Sequence, residues 1–221
     1  MAVLYGHTGR VLYNDGVDAP ARLSRHGALF TQDVGGKYAD AVDDGRVFIS
    51  ADRTAALAGV AIPVYTSVTP VGNVIWNPAG SGVKIRPISF SIAQVSGNPV
   101  VTPIVLMHRL GAGSEIATGA VFTAFAKTTP VNALVGAGQA SKVFSSNVGT
   151  CTLTAGGVIG DVLYDMFGLP AITAQAIAFT QLTEHFDGRM AFMPGTVIWV
   201  VGTAASVALY RQTWIWEEVP V

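Results

Sequence analysis

The sequence predicts a mostly β protein, a jelly-roll-like antiparallel β-sandwich with an extended N-terminal arm. From residue 64 onward, short segments rich in β-branched and aromatic residues follow one another, and turns rich in Gly, Pro, Asn and Ser separate them. No long segment repeats its apolar residues with the helical period, so alternating strand–helix units are not expected. Roughly eight to ten such strands are typical of a sandwich or a jelly roll.

Charge divides the chain into two regions. Residues 1–53 hold six basic and seven acidic side chains, which is 13 of the 27 charged residues, and the other 168 residues share 14. The latter density is about 8%, against about 25% in a typical soluble chain. We therefore predict an N-terminal arm or small subdomain over residues 1–60, ordered by a neighbour, and a β-sandwich domain over residues 61–221.

A few residues of the N-terminal region favour regular structure. Residues 38–45 predict one or two helical turns that end at Gly45, because glycine commonly terminates a helix. Residues 46–50 predict a short strand. Residues 54–62 are rich in Ala and precede Pro63, which is consistent with a linker or a lead-in to a strand.

Residues 83–95 form the clearest strand of the sandwich region. Apolar and polar residues alternate along it, but the alternation slips by one residue at Pro87. Such a slip beside a proline predicts a β-bulge on an edge strand. Other strands are predicted at residues 64–69, 73–76, 102–110, 115–127, 140–145, 149–154, 162–167, 176–185 and 190–193, and over residues 171–179 strand is favoured over helix.

The C-terminal part predicts a hairpin made of residues 196–201 and of a last strand over residues 206–217. Alternate residues of the last strand point to opposite faces. Both faces are largely apolar, so we expect this strand to be packed on both sides. One face is formed by Ala208, Tyr210, Gln212, Trp214 and Trp216.

Two uncharged stretches, residues 87–107 and 190–210, are long enough to cross a bilayer as helices. Turn residues interrupt both of them, at 96–99 and at 194–195, and β-branched residues fill the pieces, so no membrane partner is expected. The N-terminus has neither the basic nor the apolar stretch of a secretory signal. We therefore expect synthesis in the cytoplasm without export.

The composition limits the classes of partner that are expected for this chain. The formal net charge is −1, so no basic excess supports binding to nucleic acid. Only 12% of the residues are charged and half are hydrophobic, and the mean hydropathy is +0.46. We therefore expect the domain to bury apolar surface against copies of itself or against another protein.

No residue pattern predicts catalysis, a cofactor or a metal site. Cys151 is the one cysteine, and we interpret it as a small core residue. The group formed by Glu184, His185 and Asp187 is interpreted as a polar turn rather than as a metal or catalytic site. The histidines lack the spacing of metal ligands; they are His7, His26, His108 and His185.

Two further patterns admit a functional and a structural interpretation. Asp161 and Asp165 would share one face of a strand, as the two carboxylates of a glycoside hydrolase could, but nothing else in the sequence supports that enzyme class. Aromatic residues near the C-terminus could form an exposed platform for sugars or could fill a core or a subunit interface. We favour core or interface for these residues, which are Trp199, Tyr210, Trp214 and Trp216.

The C-terminal residues 194–210 and 214–220, and the turn at residues 76–82 with the strand after it, resemble structural proteins of tailed bacteriophages. The resemblance extends over residues 60–221. It implies a virion component assembled in the host cytoplasm, such as a capsid decoration (cement) protein that forms a homotrimer and contacts the major capsid protein or another virion subunit.

This role assigns candidate interface residues in both regions of the chain. A polar arm can wrap a neighbouring subunit, and large obligate interfaces are apolar. The alternatives are a tail-associated receptor- or glycan-binding module and, with less support, an enzyme; head and tail positions both stay open. The candidate interface residues are Arg22, Arg25, Tyr38, Trp199, Tyr210, Trp214 and Trp216.

Overall fold

The computed structural model describes residues 37–51, 59–64, 74–100, 102–110, 122–124, 127–136, 139–146, 152–153, 161–169, 181–205 and 207–221. The chain divides into two compact units, Met1–Asp40 and Ala41–Val221. Of the first unit, only residues 37–40 are described, so the architecture below is that of the second. The candidate interface residues Arg22 and Arg25 lie outside the described residues.

Within these ranges the protein is mostly β, as the sequence predicts, and its strands pair antiparallel. The one helix among the described residues is α1, Ala39–Asp43. The strands are β1 Val47–Ala51, β2 Val60–Ala61, β3 Val74–Asn77, β4 Val83–Ser96, β5 Thr102–Leu110, β6 Phe122–Ala124, β7 Val131–Asn132, β8 Phe144–Ser146, β9 Thr152–Leu153, β10 Asp161–Leu169, β11 Gln181–His185, β12 Thr196–Gly202 and β13 Leu209–Pro220.

Helix α1 ends as its sequence predicts. The Gly45 N–H donates to Val42 O and the Arg46 N–H donates to Ala41 O, each at 2.9 Å. Gly45 has φ +68°, which glycine adopts without strain. This pair of bonds is the Schellman motif, and it turns the chain directly into β1.

The first sheet, called here the β13 sheet, has the order β11-β4-β13-β1-β7, and the short strand β2 also pairs with β13. Strand β13 pairs with β4 along its whole length, from Leu209↔Ser96 to Pro220↔Val83. On its other side β13 pairs with β1. Residues 47–51, which we expected to belong to the arm, therefore form a strand inside this sheet.

The second sheet, called here the β12 sheet, has the order β10-β5-β12-β3-β8. Strand β12 lies in its middle and pairs with β5 and β3. A small separate pair is formed by β6 and β9.

Side chains from both sheets form one apolar core. Complete burial of one such side chain contributes roughly 1.5–3 kcal/mol. The β13 sheet contributes Phe48, Ile85, Phe90, Ile92, Tyr210, Trp214 and Trp216, and the β12 sheet contributes Ile75, Ile104, Leu106, Met166, Leu169, Ile198 and Val200.

The two sheets also touch at both lateral edges. At the β10/β11 edge, the ring of Tyr164 meets that of Phe186 with centroids 6.1 Å apart. On the other side, Ser50 of β1, the strand next to the edge strand β7, donates through Oγ to Ser145 Oγ of the edge strand β8 at 2.8 Å. Thr128 Oγ1 lies 2.9 Å from the same Ser145 Oγ, so buried hydroxyl groups join the sheets on this side.

Strand β12 is buried on both of its faces. All seven residues of β12 are buried, and alternate ones join a second apolar cluster on the face away from the shared core. We had expected two-sided burial for β13, but that strand carries polar and half-exposed residues on its outer face, whereas β12 has none. The second cluster consists of Val74, Trp76, Val105, Met107, Val197, Trp199 and Val201.

The predicted bulge at Pro87 is confirmed, but its predicted place on an edge strand is wrong. The register changes from Ile215↔Ser89 to Trp216↔Pro87, which leaves Ile88 as the extra residue. Strand β4 lies between β11 and β13. Proline is accommodated there because β11 pairs with β4 only as far as His185↔Ser89, so the ladder on that side ends before Pro87.

The predicted hairpin of β12 and β13 is also wrong. The two strands belong to different sheets, and the segment between Gly202 and Leu209 carries the chain from one sheet to the other. Both strands have an apolar face, and each buries it in the shared core instead of pairing with its sequence neighbour.

Several predicted strands differ in extent. Residues 140–143 precede β8 without strand structure, and residues 190–193 form only an isolated bridge, Ile85↔Phe192. Most of the predicted strands at 64–69 and 115–127, and the whole of 171–179, lie outside the described residues, as does Cys151.

Candidate functional site

The aromatic residues proposed for an interface lie inside the domain. Trp214 and Trp216 are completely buried, and Tyr210 and Trp199 are 2% and 3% exposed. The Trp214 ring stacks on Phe186 and tilts against Phe90, with centroid distances of 5.9 and 4.5 Å. Side chains without accessible surface cannot contact a second subunit or stack on a sugar. Of the alternatives considered for these aromatic residues, the structure therefore favours the core.

These four residues do not form one cluster. Tyr210, Trp214 and Trp216 belong to the shared core, whereas Trp199 belongs to the cluster on the far face of the β12 sheet. Tyr38 lies just before α1 and is partly buried, with Lys37 Nζ 5.5 Å from its ring centroid.

Glu184 and His185 are the last residues of β11, and Asp187 lies in the turn that follows. Arg189 Nη2 donates to Glu184 Oε1 at 3.3 Å and to His185 O at 2.5 Å. The Tyr164 hydroxyl donates to the same carboxylate at 3.0 Å. Asp187 takes a positive φ of 51° in the turn. These contacts hold the chain reversal at the β10/β11 edge.

Asp161 and Asp165 occupy opposite faces of the sheet by register. Asp161 pairs with His108 and Asp165 pairs with Val105, because β10 is bulged between Val162 and Tyr164. Positions three apart in a strand face opposite ways. The expected shared face of these two strand positions is therefore wrong by register.

Glu218 is a buried carboxylate that the sequence reasoning missed. It is 5% exposed, accepts a hydrogen bond from the Lys142 N–H at 3.0 Å, and lies in a short contact with Ser141 Oγ. Burial raises the pKa of the Glu218 carboxyl above its ordinary value, and hydrogen bonds from Ser141, Lys142 and Trp216 lower it in part. Counting alternate residues along β13 would have found it, since Glu218 follows Trp216 on the inward face.

The hydrogen bonds of the Ser141 hydroxyl favour the protonated form of the Glu218 carboxyl. Its Oγ contacts both Glu218 Oε1 and Val143 O, the latter at 2.8 Å, and it also accepts from the Val143 N–H. A hydroxyl has one hydrogen and can donate to only one of these oxygens. If Glu218 is protonated, it donates to Ser141 and the serine donates to Val143, so every group is satisfied.

The outer face of the β13 sheet has a central row of small side chains, and towards one end it carries the charged residues Lys84, Arg86 and Glu217. One row across four strands reads Thr183, Ser91, Thr213 and Ala51 in register, and these residues are half-buried or exposed. Arg211, which is exposed, stands beside this row. Residues of this row line a recess of about 210 Å³, and covering their hydroxyl groups without new hydrogen-bond partners would cost free energy.

A groove of about 310 Å³ opens near the β10/β11 edge. Its lining is mostly apolar, and two of its residues, Leu163 and Met193, are 40% and 48% exposed. Thr196 also lines it; this residue is 2% exposed, and among the described residues nothing makes a hydrogen bond to its Oγ1. The groove could not be predicted from the sequence, because its lining comes from three strands and a turn that are far apart in the chain.

The histidine at this groove is His108 of β5, which is partly buried. Within the described ranges, no group of three or more His, Cys, Asp or Glu residues is arranged to hold a metal ion. In the same ranges no helix is long and apolar enough to cross a membrane.

The chain matches no protein-family model, no curated protein and no solved structure.

Proposed function

We propose that the protein is a non-enzymatic virion component of a tailed bacteriophage, a capsid decoration (cement) protein that stabilises the head as a homotrimer. The phage assignment and the trimeric state rest on the sequence resemblance. The structural observation that supports the proposal most is the order of the strands in the two sheets.

This order is the one produced by rolling up a single long hairpin. Eight strands are numbered one to eight along the chain: β1, β3, β4, β5, β10, β11, β12 and β13. The β13 sheet then contains the order 1-8-3-6, and the β12 sheet contains 2-7-4-5. The pairs 1 with 8, 2 with 7, 3 with 6 and 4 with 5 are those of one hairpin, and the contacts 8 with 3 and 7 with 4 arise when it is rolled.

We infer from this order a jelly roll, to which β2, β7 and β8 add further pairing. Jelly rolls are common among viral capsid proteins, lectins and cupins, so the fold alone does not select a function. The aromatic residues that suggested a glycan-binding module are buried, so they do not favour that class over the others. We therefore keep the virion role.

The outer face of the β13 sheet is compatible with a role in assembly. Its central row consists of small side chains, and a partner protein that gives hydrogen bonds to their hydroxyl groups can cover it. Contact of this face with the capsid shell leaves the lateral edges of the sandwich available to neighbouring copies.

The test is the mass of the purified protein by static light scattering over a range of concentrations. We expect a stable species of three times the 23.0 kDa protomer. We also expect it to co-sediment with heads assembled from the major capsid protein alone. A protomer that stays monomeric at high concentration and binds no head would overturn the proposal.

A further inference from the structure

The segment before β8, residues 139–142, is held to the rest of the domain by side chains rather than by a strand ladder. Within the described ranges, its main chain makes no hydrogen bond to the main chain of another residue. Asn132 Nδ2 donates to Gln139 O at 3.4 Å, and Glu218 contacts the segment at two further points. A segment without main-chain pairing opens at a lower free energy than a core strand.

Glu218 joins this segment to the β13 sheet. Its Oε2 accepts from the Lys142 N–H at 3.0 Å, and its Oε1 lies in short contact with Ser141 Oγ. On the side of β13 itself, Trp216 Nε1 lies 3.4 Å from the same Oε1, and the Glu218 N–H donates to Arg46 O at 2.8 Å. The carboxyl is therefore a contact between a central strand of one sheet and the segment that leads into β8, an edge strand of the other.

Within the described ranges, no ion pair compensates a charge on this carboxyl. The neighbouring Glu217 lies on the opposite face of β13, where Arg46 binds it, and the Lys142 side chain is exposed. Loss of the proton therefore leaves a buried carboxylate whose described partners are all uncharged, which is unfavourable. The charged residues on the elements around Glu218 are Asp44, Arg46, Lys84, Arg86, Lys142 and Glu217.

Opening of the segment would let water reach the carboxyl. Burial raises the pKa of the Glu218 carboxyl in the closed arrangement, and hydration returns this pKa towards its ordinary value. Between the two values the open arrangement has released a proton that the closed one keeps, so the open fraction grows as pH rises. Above the raised value both arrangements have lost the proton, and the open fraction is constant.

We propose that Glu218 is a proton-dependent latch, which holds residues 140–142 against β13 while it is protonated and releases them when it ionises. The Ser141 hydroxyl completes the closed arrangement, because the protonated carboxyl donates to it and it donates to Val143 O. The release is local, since β8 keeps its pairing with β3. The inference does not depend on the virion role.

Amide hydrogen exchange measured by NMR from about pH 5 to about pH 8 tests the latch. The observable is the exchange rate of the Lys142 N–H, divided by the rate of the same amide in an unfolded peptide at the same pH. We expect this ratio to rise by up to about tenfold per pH unit between the ordinary and the raised pKa, since opening releases one proton. We also expect it to exceed, at every pH, the ratio of the Trp214 N–H, which lies in the centre of the β13 sheet and reports complete unfolding.

Two matched variants assign the pH dependence to Glu218. Glu218→Gln keeps an acceptor for the Lys142 N–H but cannot ionise, so its ratio is expected to be independent of pH. Glu217→Gln changes the adjacent carboxyl, which Arg46 binds on the outer face, and is expected to keep the wild-type dependence. The wild-type measurement needs no substitution, so it decides the matter even if Glu218→Gln does not fold.

The latch is overturned if the wild-type ratio at Lys142 does not change with pH, or if its rise persists in Glu218→Gln. Loss of the rise in Glu217→Gln would assign the titration to the wrong carboxyl. Equal ratios at Lys142 and Trp214 at every pH would show that the domain opens only as a whole, and the local release would then be wrong. None of these results bears on the oligomeric state, which the light-scattering experiment measures separately.

Discussion

Trp214 shows how a conspicuous surface candidate becomes a core residue. Its ring lies between Phe90 and Phe186 and is completely buried. Aromatic residues are enriched both in cores and in interfaces, so composition cannot separate the two roles. The alternation along β13 places Trp214 on the inward face, and the opposing sheet covers that face, so Trp214 is a core residue.

We predict that Trp214→Ala lowers the free energy of unfolding by about 3–5 kcal/mol, because it leaves a cavity in the shared core. Urea denaturation followed by circular dichroism measures the change. Thr183→Ala, on the exposed outer face of the same sheet, is the control and should stay within about 0.5 kcal/mol of the wild type. Equal stability of the two variants would contradict the assignment of Trp214 to the core.

Glu218 makes the stability of the domain depend on pH in a direction that is unusual for a carboxyl group. Because burial raises its pKa in the folded state, the folded protein keeps a proton that the unfolded chain has already released. The free energy of unfolding contributed by this group therefore falls as pH rises from the ordinary pKa to the raised one, and it is constant above that.

We predict that Glu218→Gln removes this slope, since the amide is uncharged at every pH and can still accept from the Lys142 N–H. Denaturation curves from about pH 4 to about pH 8 compare the two proteins across the range in which carboxyl groups titrate. Glu218→Ala should be destabilising by about 1–3 kcal/mol, because it leaves buried donors unpaired. An identical pH slope in wild type and Glu218→Gln would rule out a raised pKa at this site.

At the scale of elements, the turns matter most where two chain segments approach closely. Gly97 follows β4 with φ +79°, and a Cβ there would lie 2.8 Å from Val207 O. Gly80 has a similar φ of +90°, but a Cβ at that position would meet nothing within 4 Å. A comparison of substitutions at Gly80 and Gly97 therefore separates the cost of a left-handed backbone from the cost of a steric clash.

We predict that Gly80→Ala costs about 1–2 kcal/mol, the penalty of a left-handed conformation for an L-residue. Gly97→Ala carries the same penalty and must also displace the backbone at Val207, so its melting temperature should be clearly lower than that of Gly80→Ala. Thermal unfolding by calorimetry measures both. Equal losses would mean that the segment before β13 moves aside at no cost.

The identity of many elements could be predicted from the sequence, whereas their partners could not. Strand β5 coincides with residues 102–110, and α1 ends at Gly45, because alternation and capping are local signals. The hairpin of β12 and β13 is wrong because pairing depends on which face of each strand meets the core, and that is set by residues more than a hundred positions away in β1 and β4.

The candidate sites illustrate the same limit. The sequence shows that Trp214 and Trp216 lie on one face of a strand, but it does not show that a second sheet covers them. The groove beside Met193 combines β5, β10 and β12 with a turn, and no periodicity connects such distant segments. Only Glu218 could have been predicted to be buried, because it lies two residues after Trp216 and therefore on the same face of β13.

At the scale of the whole molecule, the central position of β13 has a consequence for biosynthesis. Strands β1 and β4 lie on either side of it, and both are made long before it. At elongation rates of about 5–20 residues per second, Ser96 waits on the order of ten seconds for Leu209 to be polymerised. During that interval a nascent chain exposes the two hydrogen-bonding edges of β1 and β4 that β13 will occupy, so the centre of this sheet cannot form until residues 209–220 have been made.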